Sequence, residues 1–387
     1  MSLQGERKIR ILAADDSSVM RGVLQTLFQL HAADPEPGLP AMELCGQVSD
    51  GIEALEAMKR LEPDVLLLDL EMPRLNGLGV LARLREEGSS VPVIMCSAHT
   101  ERGARSTLAA LAQGAQEYVM KPRQQADFAS ALDSLLKELL PKIAALVRPA
   151  GRDAGRAAGR ERGSAWPNYF AGGGSAVDAV VVGVSTGGPA ALELMLSRLP
   201  ADFRAPMLIV QHMPKLFTCA LAARLNTLCK VEVRQAAEGV RLRRGLVLIA
   251  PGDSHMEIGR GIGGDVVRLQ DGPALNHCKP SVDCLFHSAA RLYGPGVLAV
   301  MMTGMGSDGL AGTAAVRAAG GTVFAQDEAS SAVWGMPGRV VQAGLSNAVV
   351  PLEGLAGMLV QKVMGASLVP ASVDWTVAGS GGFYGLL

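Results

Sequence analysis

Aromatic side chains are scarce in this chain: Phe, Trp and Tyr make up 4% of its 387 residues. A core built on aromatics is thereby excluded. The apolar share, 49% of the sequence, is carried largely by Ala, Val and Leu, which suits helices packed on parallel strands. A strong charge of either sign is also missing. Lys and Arg number 36 against 37 Asp and Glu, a formal net charge of -1, so no field favours nucleic acid or an anionic membrane. No uninterrupted apolar run reaches about 18 residues, and no direct membrane insertion is expected. The opening segment MSLQGERKIR has no apolar signal core, so a cytoplasmic protein is expected. The six cysteines include no C-x-x-C pair, and reduced thiols are the default. One cluster, HCKPSVDCLFH, offers His277, Cys278, Cys284 and His287 as metal ligands. Its pattern reads as a helix start and its apolar face, so buried thiols and a loop histidine are expected there, not zinc.

What is present is alternation. Residues 8–146 alternate short apolar runs (IRILAA, LCGQVS, DVLLLDL, VPVIMCS, QEYVM) with amphipathic stretches such as GIEALEAMKRL. That rhythm implies a parallel sheet covered on both faces. Residues 147–176 break it with a Gly/Ala/Arg-rich stretch that reads as a linker. From 177 to 366 the rhythm resumes (DAVVVGVS, APMLIVQH, GLVLIAP, DVVRLQ, GVLAVMMTG, TVFAQD), and a second, doubly wound and mostly parallel α/β domain is expected. Residues 367–387 fit neither half and read as a flexible tail.

Sites in open parallel sheets collect at the carboxyl ends of strands. In the first half those ends carry Asp15 and Asp16, then Asp69, Ser97 and Lys121. Three carboxylates converging on one edge suit Mg²⁺, a hard cation that prefers oxygen ligands. Asp15, Asp16 and Asp69 are the expected metal ligands, and Lys121 and Ser97 would hold the oxygens of a phosphoryl group brought to Asp69. The motifs ILAADDSSVMR, DVLLLDLEMPRLNGL, VIMCSA and YVMKP resemble the signature of response-regulator receiver domains, which have a flavodoxin-like fold. That resemblance implies that Asp69 is the phosphoacceptor, that Ser97 and Lys121 are switch residues, and that a histidine kinase is the donor. The stretch HAADPEPGLPAME, 31–43, reads as an unusually long, proline-rich link into the second strand.

In the second half, AVVVGVSTGGPAALELML runs a buried strand into a glycine-flanked serine of the form G-x-S-x-G. Such a turn lifts a hydroxyl out at the sheet edge, where the next helix presents unpaired N–H groups. The geometry suits a nucleophile beside an oxyanion stabiliser; a helix-capping serine is the plainer alternative. A P-loop is excluded because no Gly-Lys-Ser/Thr follows, and the glycine spacing does not fit a dinucleotide site. A serine nucleophile needs a base. His212 follows the run ending QHMP, and Asp308 lies in MMTGMGSDG, so Ser185, His212 and Asp308 are expected on one edge as a Ser–His–Asp arrangement. An α/β-hydrolase pairing of Asp271 with His277 or His287 stays formally open.

The motifs GVSTGGPAAL, QHMP, APGDSHMEI, KPSVDCLFHSAA, MMTGMGSDG and AQDEASSAVWGMP resemble, in order, the CheB-type protein-glutamate methylesterase domain over about 177–366. The resemblance implies Ser185 as nucleophile, His212 as base, Asp308 as its orienting partner, and Thr186 and the Met305 backbone as oxyanion neighbours, with no cofactor at the esterase site. It further implies hydrolysis of glutamate γ-methyl esters on methyl-accepting chemoreceptors, deamidation of receptor glutamines as a related activity, and a CheA-type histidine kinase as phosphodonor. A receiver packed against the esterase face would obstruct substrate until Asp69 is phosphorylated. A transcription regulator is disfavoured, because no basic recognition helix follows the linker.

Overall fold

A computed structural model describes residues 7–122, 128–147 and 176–365. The stretch 148–175, most of the expected linker, and the tail 367–387 lie outside the described residues.

The first half holds β1 (Ile9–Ala14), α1 (Ser18–Ala33), β2 (Met42–Val48), α2 (Gly51–Leu61), β3 (Val65–Asp69), α3 (Gly77–Glu86), β4 (Val93–Ser97), α4 (Glu101–Ala112), β5 (Glu117–Met120) and α5 (Phe128–Leu146). Its strands form one parallel sheet in the order β2-β1-β3-β4-β5. Strands β3 and β4 are buried at every position, as helices on both faces require. Helix starts follow the sequence: the Asp50 carboxylate accepts from the Ile52 and Glu53 amides at the head of α2. The expected long link 31–43 is shorter than its sequence suggested. Helix α1 continues to Ala33, and buried His31 places Nε2 3.0 Å from the Pro40 carbonyl, tying the remaining loop down.

The second half holds β6 (Ala179–Val184), α6 (Gly188–Leu196), β7 (Met207–Gln211), α7 (Lys215–Leu228), β8 (Glu232–Gln235), β9 (Leu246–Ile249), β10 (His255–Gly261), β11 (Gly264–Gln270), α8 (Val282–Tyr293), β12 (Val297–Met301), α9 (Leu310–Ala318), β13 (Thr322–Gln326), α10 (Met336–Gln342), β14 (Ala348–Val350) and α11 (Leu352–Met364). Seven strands pair in the order β14-β13-β12-β6-β7-β9-β8, all parallel. The chain moves outward from β6 in both directions, so the switch point lies at β6, between β7 and β12. Strands β10 and β11 instead form a separate antiparallel hairpin. The run DVVRLQ is therefore a strand of that hairpin and not of the main sheet.

The two halves share one apolar core. Leu108 and Leu111 of α4 and Tyr118 of β5 cluster with Leu192 of α6 and Phe217 and Leu221 of α7. The rings of Tyr118 and Phe217 stack with centroids 4.7 Å apart and planes 7° from parallel. The receiver-like half thus rests on the two helices that follow Ser185 and His212.

Candidate active site and phosphoacceptor site

Ser185, His212 and Asp308 follow β6, β7 and β12, three neighbouring strands at the switch point of the second sheet. This is where parallel α/β sheets leave a crevice. The turn at Ser185 is held on three sides. Its N–H donates to the Thr303 carbonyl at 3.0 Å, and its carbonyl accepts from Gly188 N at 2.8 Å and from Gln211 Nε2 at 3.0 Å. Gly187 has φ 76°, in the left-handed region that glycine tolerates. Gly304 lets the β12 loop approach: a Cβ there would come within 2.8 Å of Ser185 Cβ. Thr186 is buried, its carbonyl accepting from Thr303 Oγ1 at 2.9 Å. Met305, half-buried, follows Gly304 beside the serine.

Asp308 is buried and well supplied with donors. Oδ2 accepts from His212 Nε2 at 2.8 Å and from Val282 N at 2.7 Å, and Oδ1 accepts from Ser281 Oγ at 2.7 Å. Burial opposes its charge, but the His212, Ser281 and Val282 hydrogen bonds outweigh that, and the carboxyl titrates below its ordinary value. Burial likewise opposes a charge on His212; the Asp308 hydrogen bond and then Cys278 outweigh it, pushing the imidazole up to about 9.

The ring is used the other way round from the serine-protease template, in which Nδ1 meets the aspartate. Here Nε2 meets Asp308, which leaves Nδ1 as the ring nitrogen that could accept a proton. Nδ1 lies 3.8 Å from Cys278 Sγ. Among the described residues no hydrogen bond joins Ser185 Oγ to His212. Bonds of this kind commonly tighten only in the substrate complex.

Sequence reasoning did not identify Cys278, Ser281 or Gln211 as part of this site. Ser281 carries a usable signal, standing as N-cap directly before the apolar period of α8. Cys278 and Gln211 carry none, because their contacts are made across the fold. The alternative pairings of Asp271 do not occur. Asp271 is exposed and bonds Lys279 Nζ at 2.5 Å, while His277 and His287 are exposed. Cys278 meets His212 and Asp308, not the other members of its sequence cluster.

At the first sheet, Asp15, Asp16, Asp69, Ser97 and Lys121 gather at the carboxyl ends of β1, β3, β4 and β5. Lys121 Nζ lies 2.8 Å from both Asp15 Oδ2 and Asp69 Oδ2. Burial pushes the Asp69 carboxyl up to about 6, with Lys121 opposing and Asp15 adding. One carboxylate oxygen from each of Asp15, Asp16 and Asp69 lies within 4.8 Å of the other two. Asp15 Oδ2 is buried and, beyond the adjacent ammonium, has no hydrogen-bond partner. Hard oxygen donors at that spacing, one of them short of partners, fit a Mg²⁺ ion. Ser97 Oγ is 2.7 Å from Thr107 Oγ1 on α4, a contact that the sequence did not reveal.

The chain matches the family model for the response regulator receiver domain over 11–133 and that for CheB methylesterase over 180–359. It is 39% identical to the protein-glutamate methylesterase/protein-glutamine glutaminase of Trichodesmium erythraeum, an alignment covering 92% of this chain and 99% of the relative. It is 42% identical to the second protein of that name from Koribacter versatilis, covering 91% and 95%. The solved CheB methylesterase catalytic domain of Thermotoga maritima is 37% identical and covers 48% of this chain and 99% of that one, with a TM-score of 0.47. The chain belongs to the CheB protein-glutamate methylesterase family. It is a hydrolase in which a receiver domain is joined to a methylesterase domain, hence a phosphorylation-regulated methylesterase. A receiver domain implies a phosphodonor kinase, and the methylesterase domain implies a receptor substrate. No helix among the described residues is long and apolar enough to cross a membrane.

Proposed function

We propose that this enzyme removes γ-methyl esters from glutamates of methyl-accepting chemoreceptors by a Ser–His–Asp mechanism, giving adaptation in a chemosensory pathway. The 2.8 Å bond from His212 Nε2 to Asp308, one strand away from Ser185 on either side, carries this reading. Ser185 Oγ attacks the ester carbonyl and its proton passes to His212 Nδ1, with Asp308 steadying the imidazolium. The proton then leaves with the methoxy group as methanol. Water, activated by the same nitrogen, hydrolyses the acyl-enzyme to glutamate and frees the serine. The Thr186 side and the Met305 backbone line the place where the oxyanion develops, and one well-aimed donor there is worth about 3–4 kcal/mol. The same chemistry on a glutamine side chain releases ammonia.

A CheA-type histidine kinase would phosphorylate Asp69. Asp15, Asp16 and Asp69 would hold the Mg²⁺ that offsets like charge as the phosphoryl donor approaches, and Lys121 and Ser97 would bind the transferred group. The stacked pair Tyr118–Phe217 and the shared core support a resting state in which the receiver holds α6 and α7. Phosphorylation would release that hold. The test is methanol release from methyl-labelled receptor, with and without a small-molecule phosphodonor and Mg²⁺, beside Ser185→Ala. Release that rises with phosphodonor and disappears in the variant supports the reading. A Ser185→Ala variant as active as the parent overturns the mechanism.

A further inference from the structure

Cys278 gives this active site a donor that the esterase reaction does not use. Its Sγ stands 3.8 Å from His212 Nδ1. In a tetrahedral zinc site, with Zn–N about 2.0–2.1 Å and Zn–S about 2.3 Å, nitrogen and sulfur stand about 3.6 Å apart. The pair is thus set close to the edge length that one ion needs. The second nitrogen of the same ring meets a carboxylate, Asp308 Oδ2 at 2.8 Å. That outer partner is the one metal-binding histidines usually have, since it fixes the tautomer and leaves the opposite lone pair free for the ion. Asp308 is itself held in place by Ser281 and Val282, so the carboxylate that orients the ring is fixed. One donor atom from each of His212, Cys278 and Asp308 lies within 4.8 Å of the other two.

We propose that His212 Nδ1 and Cys278 Sγ form an inhibitory site for a thiophilic divalent cation, Zn²⁺ above all, with Asp308 as the outer partner. A thiolate and an imidazole select Zn²⁺ over Mg²⁺ or Ca²⁺, which prefer oxygen. Binding forms a Zn–S and a Zn–N bond, and two protons go to solvent, one from the thiol and one from the imidazolium that prevails below about pH 9. Solvent completes the coordination, so a chelator reverses it. The ion occupies the lone pair that must accept the Ser185 proton. Metal and catalysis therefore exclude each other. The inhibition rests on His212 being the base; the binding does not.

The test uses the full-length chain with excess Mg²⁺ to saturate the carboxylate site. Co²⁺ replaces Zn²⁺ as a spectroscopic probe, and the near-ultraviolet thiolate-to-cobalt absorption is read whether or not ester is hydrolysed. The expected result is such a band in the parent and in Cys284→Ser but not in Cys278→Ser. Zn²⁺ should also suppress methanol release, and Cys278→Ser should raise the half-inhibiting concentration by at least about tenfold, the loss that even an outer partner causes. A band that survives Cys278→Ser, or none in the parent, overturns the site. Equal zinc sensitivity of parent and variant overturns the inhibition. If Cys278→Ser does not fold, alkylation of the parent decides, read by peptide mass spectrometry. Zn²⁺ should shield Cys278 from iodoacetamide and leave exposed Cys219 reactive, and equal labelling of Cys278 with and without Zn²⁺ refutes the proposal.

Discussion

The Tyr118 ring of the receiver lies flat on the Phe217 ring of the esterase, 4.7 Å between centroids and 7° from parallel. Phe217 sits on α7, five residues after His212, so this receiver contact touches the element that leads out of the candidate active site. Such a pair contributes about 0.5–1.5 kcal/mol beyond its buried area. Tyr118→Ala should therefore raise methanol release by the unphosphorylated enzyme about 2- to 10-fold and shrink the further gain on adding phosphodonor. Phe217→Ala should do the same, and the double variant should fall short of the product of the two. Independent, multiplying effects would show that the stack does not hold the resting state.

The hydroxyls of Ser97 and Thr107 are 2.7 Å apart, and the Thr107 oxygen is 2.8 Å from the Gly103 carbonyl. One Thr107 proton serves only one acceptor. With it on Gly103, Ser97 donates to Thr107 and must abandon that bond to reach a phosphoryl group on Asp69. Thr107→Val removes the competitor. A neutral hydrogen bond is worth about 1 kcal/mol, so half-activation should need roughly 5-fold less phosphodonor. An unchanged activation curve would dissociate α4 from Ser97.

His212 accepts a proton only when neutral, and its pKa is raised to about 9. The neutral fraction rises about tenfold per pH unit below that value, so kcat/KM should climb from pH 6 to about 9 and then level. Cys278 contributes to the upward shift after Asp308, so Cys278→Ser in metal-free buffer should move the midpoint down. The same shift stabilises the fold. Its contribution is complete below about 6.5 and is lost as pH rises through about 9. A flat profile over this range would exclude His212 as the base.

Asp69 is buried and titrates near 6, above the ordinary 3.8. A raised carboxyl costs stability as pH climbs through that window, here at most about 3 kcal/mol at about 1.4 kcal/mol per unit. Asp69→Asn should melt above the parent at pH 7 in EDTA, with the gap closing near pH 4. Mg²⁺ should raise the Tm of the parent more than that of the variant. A gap independent of pH would mean that the carboxylate is not the cause.

Both halves announce their strands where the apolar runs are long. IRILAA, AVVVGV and VLAVM are buried throughout or nearly so, and a run buried on both faces leaves a continuous signature. The edge strands Glu232–Gln235 and Ala348–Val350 did not, being four and three residues long. Nor did His255–Gly261, whose second half alternates glycine with polar residues and is only half buried. Asp15, Asp69 and Ser185 were legible because each closes an apolar run, and Asp308 because it lies in the glycine-rich loop that follows one. The orientation of the His212 ring, the thiol beside it and the Ser97–Thr107 contact were not, since each joins segments that the chain order keeps apart.

The continuous core that runs from Leu108 through Phe217 to Leu192 also governs how the molecule comes apart. Two domains welded by apolar packing unfold as one cooperative unit, since neither can lose its structure without exposing the other's buried face. Calorimetry on the resting enzyme should then give a single endotherm. Phosphodonor with Mg²⁺ should split it in two, so the number of thermal transitions becomes a direct count of whether the domains are engaged.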